Sequence, residues 1–339
     1  MKKGFKSIIL FIAAAATAAV LSGCSLLGLP LMKEGETGLI GTPFNTVLPD
    51  FYGAGKGAEN ANQDGWYEVF VDEFDGDSLN ADLWAYSPER YRTKTLNPAH
   101  PEYTSYWTRD AVSVNGGNLE IRAEQRPDGR YTGGIETRKT HIADDGETIV
   151  TDSMLFEQAF GYFEVRVKFP DEEGLWSAFW LQSEYQRKIG NDGRDGTEID
   201  VYESGFIRHP KWMGHALLWD GYGTSNSRVS GLRRGYGANL YDGYHTFALK
   251  WTPGYYVFYI DGAATWATND GGVAQVAEFL RLTVEIDEGD GWGPHAQKIG
   301  LFKSKASVFY VDYVRVYQNV NYLPYIRSND DYADIGAIK

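Results

Sequence analysis

The sequence predicts a single all-β domain built as a sandwich, and three observations support this fold class. The 339-residue chain is rich in aromatic residues (15%) and contains 39 glycines. Short hydrophobic runs with a two-residue period recur between clusters of Gly, Asp and Asn, which is typical of β-sandwiches. No internal repeat or interdomain linker interrupts this pattern, and the length fits one large all-β domain.

Two-residue alternation identifies the strands, because successive side chains of a strand point to opposite faces. The run Asn115-Gly116-Gly117-Asn118 is a turn signal between two of them. The main helical candidate is a turn or two at residues 272–280. The predicted strands lie at residues 69–71, 119–121, 165–169, 247–251 and 308–312.

The first 23 residues have the features of a signal peptide. Three of the first six residues are lysines, and the apolar run at 8–21 is too short and too rich in small residues to favour a permanent span. The run ends in Leu21-Ser22-Gly23-Cys24, which resembles a bacterial lipobox and implies cleavage before Cys24 and lipidation of its thiol. Cys24 is the only cysteine, so no intrachain disulfide can form. An ordinary secretory peptide with an incidental cysteine is the alternative.

These features divide the chain into four segments. Residues 1–23 form the signal peptide, and residues 24–65 form a lipidated N-terminus with a flexible tether rich in Gly and Asn. Residues 66–318 form the folded domain, and residues 319–339 form a C-terminal tail. This organisation predicts a protein of the cell envelope, periplasmic or exposed at the surface, anchored to a membrane through Cys24.

Six residues, Glu198-Ile199-Asp200-Val201-Tyr202-Glu203, carry the strongest chemical signal in the chain. On a regular strand Glu198 and Asp200 share a face, whereas Glu203 points to the opposite one. One bulged residue returns Glu203 to the shared face. The two glutamate carboxyl groups can then approach to about 5–5.5 Å, which is the separation in a retaining glycosidase. An exposed acidic strand would also explain the motif, so its surroundings decide between the two interpretations.

Five sequence blocks surround this motif: FGYFEVRVKFP at 160–170, GLWSAFWL at 174–181, YHTFALKWT at 244–252, FYIDG at 258–262 and YVDYVRVY at 310–317. In this order and combination they resemble glycoside hydrolase family 16, the bacterial endo-glucanases and galactanases. The resemblance runs from about Trp66 to Tyr317. It implies a curved jelly-roll β-sandwich of the concanavalin A-like type, with residues 66–318 as the catalytic domain.

The resemblance and the predicted geometry imply an endo-acting retaining hydrolase of a β-linked polysaccharide. Glu198 is expected to be the nucleophile that forms a glycosyl-enzyme intermediate, and Glu203 the acid/base. Neighbouring negative charge and partial burial should raise the pKa of Glu203. Asp200 is placed to hydrogen-bond Glu198, with a merely structural carboxylate as the alternative.

Substrate binding requires aromatic side chains that stack on the apolar faces of sugar rings, and polar groups that bind the hydroxyls. Strand periodicity puts His215 and Trp219 on one face, which is expected to line the cleft. Core packing is the alternative for Trp180, and a salt-bridged strand position is the alternative for Arg166. The expected substrate-binding residues are Arg166, Trp176, Trp180, His215, Trp219 and Trp107.

Catalysis of this kind requires no cofactor. The resemblance implies one structural calcium ion away from the cleft, held by Glu73, a carbonyl of Gly116 and Asp312. Carboxylates plus a carbonyl suit a hard cation, although surface charge unrelated to a metal also explains such carboxylates. A zinc site at His215 is excluded because no second His or Cys lies at ligand spacing.

The formal net charge of −14 disfavours nucleic acid and anionic membrane surfaces as partners, since either needs a basic face. It also makes a sulfated polysaccharide less attractive than a neutral one, although local charge can override the total. The expected substrate is therefore β-1,3-glucan (laminarin) or mixed-linkage glucan, cleaved by a monomer. The alternatives are a galactan hydrolase of the agarase or porphyranase type, a transglycosylase, and a non-catalytic glycan-binding protein.

Overall fold

The computed structural model describes residues 42–93, 105–146, 148–190, 192–204, 207–222, 227–233, 235–286, 305–328 and 331. Nearly all regular structure in these ranges is β, which confirms the predicted fold class. The helical segments in them are 3₁₀ turns at Ala58–Asn60, Arg109–Ala111, Glu184–Arg187 and Leu323–Tyr325. No helix in these ranges has the length and apolarity that a membrane span needs. The predicted signal peptide and Cys24 lie outside the described residues.

Twenty strands are defined in the described ranges. They are β1 (Trp66–Asp72), β2 (Ala85–Tyr86), β3 (Arg90–Thr93), β4 (Ser105–Trp107), β5 (Val112–Asn115), β6 (Asn118–Arg126), β7 (Gly129–Thr132), β8 (Gly134–Glu136), β9 (Arg138–Ile142), β10 (Ile149–Met154), β11 (Gly161–Lys168), β12 (Leu175–Gln182), β13 (Glu198–Glu203), β14 (Met213–Trp219), β15 (Ser227–Arg233), β16 (His245–Trp251), β17 (Tyr256–Ile260), β18 (Ala263–Thr268), β19 (Phe279–Ile286) and β20 (Ala306–Asn319).

Two sheets pack face to face to form the sandwich. The larger one, called the outer sheet, has 11 strands in the order β18-β17-β16-β11-β20-β6-β7-β4-β3, with β1 also paired to β20 and β5 to β6. The smaller one, called the cleft sheet, has seven strands in the order β15-β14-β13-β12-β19-β8-β2. Strands β9 and β10 form a separate hairpin. Neighbours such as β12 and β19 are distant in sequence, as the crossing connections of a jelly roll require.

The hydrophobic core lies between the two sheets. As the alternation predicted, Phe247, Leu249 and Trp251 of β16 are fully buried. Val165 and Val167 of β11, the neighbouring strand, are buried beside them. Burial of these apolar side chains is the main favourable term that holds the sheets together.

The turn predicted at 115–118 is present, and the helix predicted at 272–280 is absent. Gly116 and Gly117 have φ of 58° and 76°, so both occupy the left-handed region that a tight hairpin turn between β5 and β6 requires. In the second segment the chain runs irregularly up to Phe279, where β19 begins. Apolar residues in this segment are buried in the core although the segment has no regular structure. Their spacing in the sequence is therefore hard to distinguish from that of a short helix.

Residues 42–65 fall in the predicted flexible tether, but they pack against the outer sheet. Phe51 stacks on Tyr317 with ring centroids 4.1 Å apart. The Lys250 ammonium donates to the backbone carbonyl of Asn45 at 2.6 Å. The tether prediction is therefore wrong for this segment, because its aromatic residues and carbonyl groups bind the sheet despite the high glycine content.

Candidate active site

A cleft of about 990 Å³ opens on the face of the cleft sheet that points away from the core. Alternate residues of β12, β13 and β19 form its floor. On β12, Trp180 and Gln182 line the cleft, whereas Phe179 and Leu181 are fully buried in the core. The charged residues that line it are Arg90, Arg92, Arg138, Arg187, Arg228, Arg281, Glu184, Glu198, Asp200, Glu203 and Glu285.

Strand β13 carries the three carboxylates, and the predicted bulge is present. From Asp200 to Glu203 the strand advances three residues, while the facing strand β14 advances two. The two residues between them are buried in the core. Glu198, Asp200 and Glu203 consequently all line the cleft.

One oxygen of the Glu198 carboxylate is held by two donors. Gln182 Nε2 donates to Glu198 Oε2 at 3.2 Å, and the Tyr222 hydroxyl donates to the same oxygen. Gln182 Nε2 also donates to the Tyr222 hydroxyl oxygen at 2.7 Å. The Gln182 carbonyl in turn accepts from Arg281 Nη1 at 3.2 Å. A chain of polar contacts therefore fixes the orientation of Glu198.

The pKa values of all three carboxyl groups are raised, but the neighbouring groups that raise or lower each pKa differ. Burial raises the pKa of Glu198, while the Tyr222 hydrogen bond and three arginines oppose the rise. Burial and the charge of Glu198 raise the pKa of Glu203 to about 7, against Arg228. Burial and both glutamates raise the pKa of Asp200 well above its usual range. These surroundings favour an ionised Glu198 beside a protonated Glu203, the division of charge that an acid and a nucleophile need.

Three guanidinium groups surround the ring of Trp107 at one part of the cleft. Their central carbons lie 4.2 Å (Arg92), 5.7 Å (Arg90) and 5.8 Å (Arg281) from the ring centroid. We call Arg90, Arg92 and Arg281 the arginine pocket. Burial and the like charges of the two neighbours lower the pKa of Arg90 to about 10, so it stays protonated at neutral pH.

Two glutamates partly neutralise this pocket. Glu285 pairs with Arg92 at 2.6 Å, and Glu136 pairs with Arg281 at 3.0 Å. Within the described residues, Nε of Arg90 and Nη2 of Arg281 are buried without a hydrogen-bond partner. Three positive and two negative charges leave the pocket with a net positive charge.

Two of the four expected tryptophans are in the cleft, and Trp107 is not. Trp176 and Trp180 both line it, and the Trp180 ring packs against the Arg281 guanidinium at 4.0 Å. Trp107 is fully buried, and its Nε1 donates to the Val284 carbonyl at 3.0 Å. The prediction for Trp107 is therefore wrong: the ring lies beneath the arginines, where it supports them by cation–π contact.

The cleft prediction for His215 and Trp219 is also wrong, although the two do share a face of β14. The cleft face of this strand carries Leu218, which is opposite Glu198. The His215 ring is 1% exposed and contacts a backbone carbonyl at 2.6 Å and a threonine hydroxyl at 3.0 Å. Burial lowers its pKa to about 4, so it is neutral. Trp219 packs against the hydrophobic core.

Arg166 and the residues expected to bind calcium lie on the outer sheet or at its edge. Arg166 pairs with Asp312 at 2.5 Å, which is the salt-bridged alternative, so its cleft prediction is wrong. Both oxygens of Glu73 accept from Arg315, at 2.7 and 2.9 Å. Since arginines already neutralise both carboxylates, these residues and Gly116 do not fit a calcium site. The described ranges contain no group of three or more His, Cys, Asp or Glu side chains suited to a metal ion.

Gln182, Tyr222 and the arginine pocket were not predicted from the sequence. Gln182 could have been found, because the two-residue period that includes Trp176 and Trp180 reaches it on the same strand. Tyr222 lies in the segment after β14, 24 residues from Glu198, and no local pattern connects the two. The arginines come from two strands, Arg90 and Arg92 from β3 and Arg281 from β19, which meet only in the folded sandwich.

An open cleft across a β-sandwich, with two glutamates on the same strand, is the arrangement of a glycoside hydrolase that acts on polysaccharides. The family model described as "Beta-porphyranase A-D, GH16 domain" matches residues 66–319. The chain therefore belongs to glycoside hydrolase family 16.

Known relatives are distant. The chain is 27% identical over 209 residues to the endo-1,3-1,4-β-glycanase EglC of Rhizobium meliloti (strain 1021). This alignment covers 58% of this chain and 41% of that protein. The chain is 25% identical over 273 residues to the keratan-sulfate endo-1,4-β-galactosidase of Sphingobacterium multivorum, covering 77% and 56%. The laminarinase catalytic domain of Thermotoga maritima MSB8 has a TM-score of 0.55 and 22% identity, covering 76% of this chain and 99% of that one. The chain thus spans about half the length of these curated relatives, and the solved structure shares its fold.

Proposed function

We propose that the protein is an endo-acting retaining hydrolase that cleaves a sulfated β-linked galactan of the porphyran type. The observation that carries this proposal is the arginine pocket in the cleft floor, beside the tryptophans and the three carboxylates. Catalysis uses Glu198 as the nucleophile and Glu203 as the acid/base, and it needs no cofactor.

The chemistry of the arginine pocket favours an anionic substrate over a neutral one. Arg90, Arg92 and Arg281 line the cleft. In the described part of the chain only two carboxylates, those of Glu136 and Glu285, pair with this group of three guanidinium ions. A sulfate ester stays ionised at all working pH values and can accept from several guanidinium donors at once. Such charge-assisted hydrogen bonds are roughly twice as strong as those to a neutral hydroxyl. A sulfated sugar therefore gains most from this pocket.

The acidic character of the whole chain does not oppose this substrate. The chain has 32 basic and 46 acidic residues, but the cleft lining has six arginines and five acidic residues. Salt screens distant surface charges beyond about 8–10 Å, whereas pairs inside a cleft are screened much less. The local charge of the cleft therefore outweighs the net charge, on which the expectation of a neutral glucan depended.

In the first step, Glu198 attacks the anomeric carbon of the sugar on one side of the cut. The bond from that carbon to the glycosidic oxygen breaks, and Glu203 gives its proton to the leaving oxygen. Trp176 and Trp180 hold sugar rings across the cut by stacking on their apolar faces. Asp200 lies between the two glutamates on the same strand face, and burial and both glutamates raise its pKa well above the usual range, which disfavours a second negative charge beside Glu198.

In the second step, water attacks the same carbon from the face that the leaving group vacated. Glu203 takes the proton of this water, and the bond to Glu198 breaks, so the product keeps its β configuration. Glu203 is available as the base at this stage because esterified Glu198 no longer carries the charge that raised the pKa of Glu203, so the ionised form of Glu203 is favoured. Release of oligosaccharides follows from an open cleft that binds several rings at once.

The comparisons support a galactan from a second direction. The family model that spans the domain is that of β-porphyranases. One relative is named for endo-1,4-β-galactosidase action on keratan sulfate. Both names concern β-galactosidic chains, and both agree with a cleft that is rich in arginine.

A neutral β-1,3-glucan or mixed-linkage glucan is the second candidate. It is favoured by the relative named as an endo-1,3-1,4-β-glycanase, and Trp176 and Trp180 stack equally well on glucose rings. The mechanism is the same for both substrates, and only the binding of the polysaccharide differs.

A product assay separates the two candidates. We expect the full-length protein to release oligosaccharides from porphyran, less from chemically desulfated porphyran, and little from laminarin. Arg90→Gln should raise KM for porphyran without changing KM for the desulfated polymer. Arg122→Gln, at an exposed arginine of β6 outside the cleft lining, is the matched control. Activity confined to laminarin or barley glucan would overturn the galactan proposal, and the Glu198→Ala variant controls for contaminating enzymes.

We also propose that the protein is lipid-anchored in the cell envelope through Cys24. The support is the lipobox-like sequence Leu21-Ser22-Gly23-Cys24 and the lack of a second cysteine in the chain. Residues 42–65 pack on the outer sheet, on the opposite side of the sandwich from the cleft. An anchor at the N-terminus therefore leaves the cleft open to a polysaccharide.

A further inference from the structure

The side chain of Gln182 joins the arginine pocket to the proposed nucleophile. Its carbonyl oxygen accepts from Arg281 Nη1 at 3.2 Å, and its Nε2 donates to Glu198 Oε2 at 3.2 Å and to the Tyr222 hydroxyl at 2.7 Å. Gln182 is half-buried on β12 and lines the cleft floor. A single amide thus contacts a cation, a carboxylate and a phenol.

These three neighbours permit one orientation of the Gln182 amide. The guanidinium of Arg281 can only donate, and an ionised Glu198 can only accept. If the amide were flipped, its NH₂ group would face the guanidinium and its oxygen would face the carboxylate, so both contacts would become repulsive. Arg281 therefore determines which end of the amide points at Glu198.

Tyr222 completes the arrangement around the same carboxylate oxygen. Its hydroxyl accepts from Gln182 and donates its own hydrogen to Glu198 Oε2. Burial and the charge of Glu198 raise the pKa of Tyr222 well above its usual range, so the hydroxyl keeps that hydrogen. Both contacts in the described part of the chain go to Oε2, and none is made to Oε1.

We propose that Gln182 is a positioning residue that, with Tyr222, holds Oε2 of Glu198 so that Oε1 is the attacking oxygen. Arg281 sets the amide orientation and so connects the arginine pocket to the nucleophile. This inference rests on the proposed role of Glu198 and is independent of which sugar the cleft binds.

The arrangement has a consequence for each chemical step. In the first, Oε1 forms the bond to the anomeric carbon as the glycosidic bond breaks, and Oε2 becomes the ester carbonyl. In the second, attack by water breaks the Oε1 bond and returns the negative charge to the carboxylate. Two donors on Oε2 stabilise that charge and make Glu198 a better leaving group. They also keep Glu198 ionised at lower pH in the free enzyme.

The test measures kcat/KM against pH for four variants, on whichever polysaccharide the wild type cleaves. Gln182→Leu and Tyr222→Phe each remove one hydrogen-bond donor from Glu198, which should raise the pKa of Glu198. The acid limb of the pH profile, where kcat/KM falls as Glu198 becomes protonated, should therefore move to higher pH. Gln182→Glu keeps an acceptor for Arg281 but places a second charge beside Glu198, so its acid limb should move furthest. At the wild-type optimum, loss of one hydrogen bond to a charged group should cost about tenfold or more in kcat/KM.

Gln318→Leu is the matched control, because this buried glutamine of the outer sheet donates to the Ala159 carbonyl at 3.0 Å, remote from the cleft. It should lower the melting temperature and leave the acid limb unchanged. The hydroxyl end of Tyr222 is buried against Glu198, but the residue as a whole is 47% exposed. Tyr222→Phe should therefore fold even if the Gln182 variants do not.

Three outcomes decide the proposal. Acid limbs that shift upward in the stated order support it, as does a fall in kcat rather than a rise in KM. Unchanged acid limbs in Tyr222→Phe and Gln182→Glu would overturn it. Inactivity of the wild type on every galactan, together with activity on laminarin, would refute the proposed substrate alone, because the same pH series can then be measured on laminarin.

Discussion

Raising the pH above neutrality should switch off the acid that releases the leaving group. Glu203 must carry a proton in the first step, and burial and the charge of Glu198 raise its pKa to about 7. At about pH 9, roughly two units above this value, about 1% of the free enzyme keeps the proton. Since about half of the enzyme is protonated at about pH 7, we expect kcat/KM to fall about 50-fold between about pH 7 and about pH 9.

The assay is kcat/KM against pH with the polysaccharide and with an aryl glycoside whose leaving group needs no proton. The alkaline limb near pH about 7 should appear with the polysaccharide and be absent in Glu203→Gln acting on the aryl substrate. Added azide should rescue Glu203→Ala as a β-glycosyl azide, because a charged nucleophile needs no general base. The reasoning would be refuted if Glu203→Gln kept the alkaline limb, or if the wild-type limb lay above about pH 9.

Three further predictions test other parts of the structure. His215→Ala should lower the free energy of unfolding by about 2–4 kcal/mol, since it opens a cavity and removes two buried contacts; chemical denaturation measures this, and an altered KM with unchanged stability would contradict the core position. Lys250→Met should cost about 1–3 kcal/mol and speed proteolysis within residues 42–65, because it removes the ammonium contact that holds the segment; an unchanged cleavage pattern would count against that contact. Cys24→Ser should move the protein from the detergent phase to the aqueous phase in a phase-partition assay, and identical partitioning of wild type and variant would exclude the anchor.

The fold was predictable because the sandwich leaves a local signature in each strand. The alternation of apolar and polar residues at 247–251 indicates a strand with one buried face. The paired glycines at 116 and 117 indicate the turn between two strands. The helix prediction at 272–280 was wrong because the apolar residues of an irregular buried loop have no sequence pattern that distinguishes them from those of a short helix. The glycine-rich stretch before Trp66 misled because composition does not show which aromatic residues will find a sheet to pack on.

The carboxylate cluster was predictable for the same reason, since Glu198, Asp200 and Glu203 lie on one strand and need only a bulge. The rest of the site depends on which strands become neighbours. The face of β14 that holds His215 follows from its register with β13, and a one-residue difference exchanges cleft and core. The arginine pocket combines β3 with β19, strands almost 200 residues apart in the chain, as the Arg92–Glu285 contact with a separation of 193 residues shows.

The most direct test of the central claim, a double-displacement cleavage of a sulfated galactan by Glu198 and Glu203, is a ¹H NMR time course of porphyran digestion by the wild-type protein. The first reducing ends to appear should be β-anomers, with α-anomers following only as mutarotation proceeds. Reducing ends that appear first as α-anomers would contradict the mechanism, and a spectrum without new reducing ends would contradict the substrate.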